Sequence, residues 1–295
     1  MDSKTVYDQK TGYSKDTQHC NGEHFRSFSV LISVYCRDDA NYLASSLKSI
    51  ISQTCPPSEI VLVKDGPLNE ACDKVISNLK RRFIGELKII ELRKNMGLGN
   101  ALKIGLDACS NELVARMDAD DISELNRFEI QINYFKENPD IDVLSSYIGE
   151  FDSDESIINK VRRVPLASDA IKKHAKYRNP MNHMAVMFRK ESVLAAGSYK
   201  HFLWFEDYYL WARMLMDGYR FANVPNILIR MRANDGLFQR RGGWQYLKQE
   251  IMLQNEFFKI GFISFPIYLF NITTRSFFRI IPNNVRAILY KKLLR

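Results

Sequence analysis

The sequence predicts an α/β domain whose mostly parallel sheet is covered by helices on both faces. Three observations carry that expectation. Apolar runs of strand length recur through the first half of the chain. Stretches with apolar residues at helical spacing lie between them. Polar or charged residues follow the runs, so they collect at one end of the predicted sheet. A chain of 295 residues, 46% hydrophobic and 26% charged, has the length and apolar content for a sizeable core.

Phe28–Tyr35 reads as a buried strand, and Leu43, Leu47, Ile50 and Ile51 mark the helix after it. Glu59–Lys64 is a second strand, stopped by Asp65-Gly66-Pro67. A polar helix follows over residues 69–82, then a third strand over Leu87–Leu92. Leu98, Leu102 and Leu106 mark a third helix, and Leu113–Met117 a fourth strand ending at Asp118. Leu125, Phe128, Ile132 and Phe135 share one helical face before a fifth strand over Ile141–Leu144. Beyond residue 150 the pattern is mixed. Met184–Arg189 and Ile227–Met231 read as strands, and Phe205–Asp217 as a helix opened by Glu206-Asp207. No internal repeat or low-complexity segment occurs.

Ligands of such sheets bind beyond the carboxyl ends of the strands. The polar groups there are Arg37, Asp38 and Asp39, then Asp65, then Arg93, Lys94 and Asn95, then Asp118, Asp120 and Asp121. Asp118-Ala119-Asp120 continues an extended strand, where alternate side chains share a face, so two carboxylates aim at one hard cation, Mg²⁺ or Mn²⁺. Asp65-Gly66 supplies an acceptor for a base or ribose, or a plain turn. Asn95–Asn100 opens a helix with Gly97 and Gly99, but the third position of a dinucleotide fingerprint is Leu102, and no Walker A pattern exists. NAD-binding and P-loop classes are excluded.

The five cysteines, Cys20, Cys36, Cys55, Cys72 and Cys109, are odd in number and lack a CxxC pair. They fit reduced thiols in a cytosol, not a disulfide scaffold or a zinc site. Residues 1–25 read as a disordered polar tail without a secretory h-region. No apolar run reaches the ~18 residues of a spanning helix. From residue 239 onward ten basic residues face two acidic ones, which accounts for the whole net charge of +8. Residues 26–243 are thus expected to form the α/β domain, and 244–295 a basic amphipathic helical segment lying on an anionic membrane surface or packed on the domain. No nucleic acid is expected among the partners.

SVYCRDDANYLASSLKSIISQT, EIVLVKDG, RKNMGLGNALKIGL, RMDADDISELNRFEIQ and WFEDYYLWARM, in that order, resemble the family 2 glycosyltransferases of GT-A fold. The resemblance is closest to bacterial enzymes of O-antigen and capsule synthesis and covers residues 28–243. It implies inverting transfer of a sugar from a UDP-sugar to a hydroxyl of a lipid-linked saccharide, on the cytoplasmic face of the inner membrane, with Mn²⁺ or Mg²⁺ as cofactor. By similarity Tyr35, Arg37, Asp39 and Asp65 line the nucleotide pocket, with Asn95 and Gly97 against the nucleotide. Asp120 is implied as the main metal ligand, with Asp118 nearer the ribose, and Asp207 as the catalytic base.

His183, Trp204 and Glu206 are expected on the sugar and acceptor side, a structural role remaining open for the first two. Many relatives carry a metal-binding histidine after the last strand. Here Arg230, Arg232, Arg240 and Arg241 crowd that stretch, so arginine shares the diphosphate charge or water completes the metal shell. The alternatives are a sugar-phosphate nucleotidyltransferase, which needs a glycine-rich first loop absent from YCRDDAN, and a non-catalytic nucleotide-sugar or membrane-binding module.

Overall fold

The computed structural model describes residues 27–233 and 244–280. The expected N-terminal tail, Arg240, Arg241 and the last basic residues lie outside them. Strands β1 (Phe28–Val34), β2 (Glu59–Lys64), β3 (Glu86–Glu91) and β4 (Leu113–Met117) alternate with helices α1 (Ala40–Ile51), α2 (Glu70–Arg82) and α3 (Leu98–Ala108). Then come β5 (Ile122–Ser123), α4 (Arg127–Glu137), β6 (Val143–Phe151), β7 (Lys160–Arg162) and α5 (Ser168–Ala175). A 3₁₀ turn over His183–Ala185 leads into β8 (Met187–Arg189), α6 (Lys190–Ala195), α7 (Glu206–Met216) and β9 (Phe221–Arg232). Two helices close the described chain, α8 (Trp244–Lys259) and α9 (Phe265–Ile280).

The strands form one sheet in the order β3-β2-β1-β4-β8-β6-β9-β5, with β7 paired to β6. Pairing is parallel from β3 to β4, as the strand–helix alternation predicts, and again between β6 and β9. It is antiparallel where β8 joins β4 to β6 and at β5 and β7. The sheet is therefore Rossmann-like on one side and mixed on the other.

Strand alternation builds a core on each face. Val30, Ile32, Ile60, Leu62, Leu113 and Ala115 point to the layer of α1, α2 and α4. Leu31, Val61, Val63 and Val114 point to the layer of α3 and α7. α1 and α2 start where short polar side chains cap them: Asp39 accepts from the Asn41 and Tyr42 amides, and Asn69 from the Cys72 amide.

Three strands differ from expectation. β8 is only Met187–Arg189, because His183–Ala185 forms a 3₁₀ turn where the sequence pattern opens the strand at Met184. β6 runs on through Ser145, Ser146, Tyr147 and Gly149, whose polar character hides a strand. Ser145 Oγ donates to the Asn182 carbonyl at 3.0 Å and Ser146 Oγ to the Tyr147 carbonyl at 2.8 Å, while Asn182 Nδ2 donates to the Ser146 carbonyl at 2.8 Å. β9 begins six residues before Ile227, because the pairing with β6 absorbs Pro225 and Asn226 in a register shift.

The C-terminal helices are not an appendage. Leu253 and Phe257 of α8, with Phe262 and Ile263 after it, belong to the same core as Trp211 and Tyr208 of α7. Phe257 meets Tyr208 edge-on at 4.9 Å. On α9, Asn271 donates to Lys176 O at 2.9 Å and to Gln254 Oε1 at 2.8 Å. Phe257→Ala should therefore destabilise the whole domain by about 3–5 kcal/mol. Denaturant unfolding followed by tryptophan fluorescence checks this, and a domain of unchanged stability would mean that α8 is peripheral.

Candidate active site

The carboxyl ends of β1, β2, β3 and β4 open into one cleft with a cavity of about 1140 Å³. Its second wall is built by the segment before β8, by α7, and by α8 and α9.

The floor is the turn after β4. Oxygens of Asp118, Asp120 and Asp121 lie within 4.8 Å of one another. Three carboxylates at such spacing repel, and the fold answers with two arginines. Arg116, buried in β4, ion-pairs with Asp118. Arg232, at the end of β9, donates its backbone amide to Asp121 Oδ1 at 3.1 Å and its Nε to Asp120 O at 3.4 Å. Its guanidinium lies 3.8 Å over the Tyr42 ring and pairs with Glu155. Burial and the neighbouring Asp118 and Asp120 still hold the Asp121 carboxyl well above the carboxylate range. Asp121 Oδ2 is buried and finds no donor among the described residues. This all-oxygen set, with a buried orphan acceptor, fits a hard divalent cation.

One end of the cleft is lined by Tyr35, Asp38, Asp65, Asn95 and Gly97. Asp65 caps the loop before α3, accepting from the Met96 amide at 2.6 Å and the Gly97 amide at 3.0 Å. Gly66 makes this possible: at φ +89 its Cα packs so close that a Cβ would stand 2.7 Å from Asn95 N. The turn after β1 aims Asp38 inward, where its carboxylate accepts from the Tyr35 amide at 2.9 Å. Burial, with Asp120 and Asp118 nearby, pushes Asp38 up to about 7. Arg37 and Asp39 point to solvent and do not line the cleft; Asp39 is spent on capping α1. Asp38 takes the inward place, and only its position at a strand end marks it in the sequence.

The opposite wall carries Glu206 and Asp207 in the first turn of α7. The N-cap position belongs to Phe205, so Asp207 stands inside the helix and not at its cap. Asn179 Nδ2 donates to Asp207 Oδ2 at 2.6 Å. Burial and the adjacent Asp207 push the Glu206 carboxyl up to about 7. Gly99 lets α3 approach: a Cβ there would meet Glu206 Cβ at 3.1 Å. Trp204 adopts φ 67, a left-handed conformation rare for a bulky residue, and stacks on Tyr246 at 5.3 Å. His183 is buried beneath, its Nε2 2.9 Å from the Tyr199 hydroxyl, and burial holds its pKa well down. His183, Trp204 and Glu206 thus share the cleft with Asp207. Arg230 is committed to Glu124 and to the Glu155 carbonyl.

The chain as a whole matches known proteins in sequence and fold. Residues 29–194 fit the description "Glycosyl transferase family 2". The chain belongs to this family. It is 37% identical over 268 residues to a UDP-Gal:alpha-D-GlcNAc-diphosphoundecaprenol beta-1,3-galactosyltransferase of Escherichia coli, covering 91% of this chain and 96% of that one. It is 40% identical over 268 residues to the amylovoran biosynthesis glycosyltransferase AmsE of Erwinia amylovora, covering 90% and 98%. The fold matches a mannosyltransferase of Pyrobaculum calidifontis solved with GDP-Man and Mn²⁺, at a TM-score of 0.62 and 16% identity, over 90% of this chain and 78% of that one.

In this family 2 glycosyltransferase the raised Glu206 carboxyl has a measurable consequence. A pKa raised from 4.5 to about 7 means that the folded state tolerates the neutral acid and resists its ionisation. The stability tied to that proton is fully present below about pH 4.5 and lost as pH rises through about 7. Glu206→Gln should therefore gain on the wild type by up to about 3 kcal/mol between about pH 5 and pH 8. Unfolding curves at the two pH values test this, and parallel pH profiles would place Glu206 in a wetter setting.

Proposed function

We propose that the chain transfers one sugar from a UDP-sugar to a hydroxyl of a lipid-linked saccharide, with inversion, in bacterial surface-polysaccharide synthesis. The observation that carries this is the pairing, across one cleft, of the Asp118–Asp121 group with the Asn179-held Asp207. The Escherichia coli relative, whose name gives a UDP-sugar donor and a diphosphoundecaprenol-linked acceptor, supports the donor and acceptor class, and the Erwinia relative supports polysaccharide synthesis.

Tyr35, Asp65, Asn95 and Gly97 receive the nucleotide at the strand ends. Asp118, Asp120 and Asp121 would hold Mg²⁺ or Mn²⁺, which supplies charge neutralisation to the departing diphosphate. Asn179 fixes the Asp207 carboxylate toward the cleft. The acceptor oxygen attacks the anomeric carbon, its proton passes to Asp207, and the bond to the β-phosphate oxygen breaks with its electron pair leaving on UDP. One base and one displacement invert the anomeric centre. Glu206, neutral for much of the time near pH 7, can donate a hydrogen bond to the acceptor without competing as base.

Asp207→Asn keeps shape and the hydrogen bond from Asn179 but removes basicity. Turnover at saturating donor and acceptor should fall about 10²-fold or more with the donor KM little changed, whereas Asp120→Ala should cost about 10³-fold. UDP release with a panel of UDP-sugars and Mn²⁺ measures both. Near-wild-type transfer by Asp207→Asn, or wild-type activity that survives EDTA, would remove the corresponding assignment.

The membrane reading rests on α9. No helix among the described residues is long and apolar enough to cross a membrane. Yet Phe265 and Leu269, one turn apart, and the neighbouring Phe258 are exposed, just ahead of the basic C-terminal residues. A face of this kind beside cations suits an anionic lipid surface. Phe265→Ser with Leu269→Ser should weaken flotation with anionic liposomes and leave the buried Phe262 and Ile263 in place. Unchanged flotation would leave α9 as a packing helix only.

A further inference from the structure

The cleft does not stop at Asp207. It continues past Asn179 to a rim formed by the residues after β7 and after α5 and by the inner side of α9. This rim differs in charge from the rest. The end near β1 and β4 and the α7 wall carry Asp38, Asp118, Asp120, Glu206 and Asp207. The far rim carries Arg163 and Arg178, with the half-buried His174 beside them. The side chains of Arg163 and Arg178 make no hydrogen bond or ion pair with another described residue. Other cationic groups nearby are already committed: Arg162 pairs with Glu150, and Arg275 with Glu250 and the Tyr177 carbonyl. Tyr177 and Phe270 stand at the same rim, exposed and edge to face at 6.0 Å. Two guanidinium groups without a hydrogen bond or ion pair to a described residue and an apolar aromatic pair thus line the same cleft.

Resting on the function proposed above, we propose that Arg163 and Arg178 bind the diphosphate of the lipid-linked acceptor, and that Tyr177 and Phe270 guide its lipid chain out of the cleft. Position supports this reading. Arg178 precedes Asn179, whose side chain holds Asp207, so its Cα is about 3.8 Å from that of Asn179. A sugar with its hydroxyl at Asp207 therefore has its anomeric phosphate about one ring-width away, within reach of an arginine from that segment. Guanidinium is suited to the task, since its planar fork pairs with phosphate oxygens in two parallel hydrogen bonds. The donor diphosphate is accounted for separately, at the aspartates beyond β4. Segregating the two diphosphates keeps the acceptor from competing for the donor site. It also gives an acceptor its orientation: charged group outward, sugar hydroxyl inward.

The experiment compares two acceptors with the same sugar, one a long-chain alkyl diphosphate and the other a neutral alkyl glycoside. Wild type should prefer the diphosphate acceptor in kcat/KM. In the Arg163→Gln, Arg178→Gln double variant that preference should fall at least about tenfold, through KM for the diphosphate acceptor. The donor KM is measured alongside. An unchanged preference in the variant would overturn the assignment, and so would an equal rise in the donor KM, which would give the arginines to the donor. A wild type that uses both acceptors equally well would overturn this inference and leave the glycosyltransfer reading standing. A wild type that releases UDP but transfers to neither acceptor would overturn both.

Discussion

The ion pair between Arg116 and Asp118 is the constraint on which the cleft depends. A catalytic metal group needs several carboxylates in one place, and the end of a central strand is where a sheet can hold them still. That location is also where water is scarce. Arg116 lies on the same face of β4 as Val114, pointing into the α3 and α7 layer, and its guanidinium is almost wholly buried. It neutralises Asp118 from beneath and extends its field to Glu206 and His183. A buried charge left without a partner costs several kcal/mol, so neither member of the pair can be lost cheaply. Arg127 secures the layer below: its guanidinium donates to Arg116 O at 2.7 Å and to Gln131 Oε1 at 3.0 Å, and burial pulls its pKa down to about 9. The strand that presents the aspartates is thereby pinned by its own backbone carbonyl.

The opposite wall is arranged by approach distance more than by charge. Gly99 brings α3 against Glu206, and Gly66 brings β2 against the loop that Asp65 caps. α8 then closes the side through Tyr246, on which Trp204 stacks. Trp204 holds a left-handed backbone at the residue pair preceding Glu206, a strain that only tight surroundings sustain. α8 and α9 share the core of α7, so the wall that carries Glu206 and Asp207 stands on a packed layer.

Much of this was legible in the sequence for a simple reason. β1, β2 and β4 are largely buried and read as mostly apolar runs, DxD stands where β4 ends, and Glu206-Asp207 stands where α7 begins. Legibility failed where tertiary partners replace local pattern. β6 buries Ser145, whose hydroxyl is satisfied by Asn182, far along the chain. β9 tolerates Pro225 because a register shift absorbs it. Asp38 and Asp39 are adjacent carboxylates, and only the turn after β1 decides that the first faces the cleft while the second caps α1. Arg232 and Asn179 have no local signature. Their roles exist through contacts with Asp121 and Asp207, more than a hundred and nearly thirty positions away, respectively.

Glu206 and Asp207 show how one peptide step separates two chemical roles. Both are carboxylates in the first turn of α7, and both are nearly buried. Asp207 receives a 2.6 Å hydrogen bond from Asn179 Nδ2. Glu206 sits in its field and is pushed toward the neutral form by burial and by that same neighbour. Ionising Glu206 beside Asp207 in this buried setting is therefore costly. On the function proposed above, such a pair would place a base and a hydrogen-bond donor at adjacent points of the cleft wall. An acceptor sugar, which offers neighbouring hydroxyl groups as donors and acceptors, needs that combination to be held in one orientation while a single oxygen reacts.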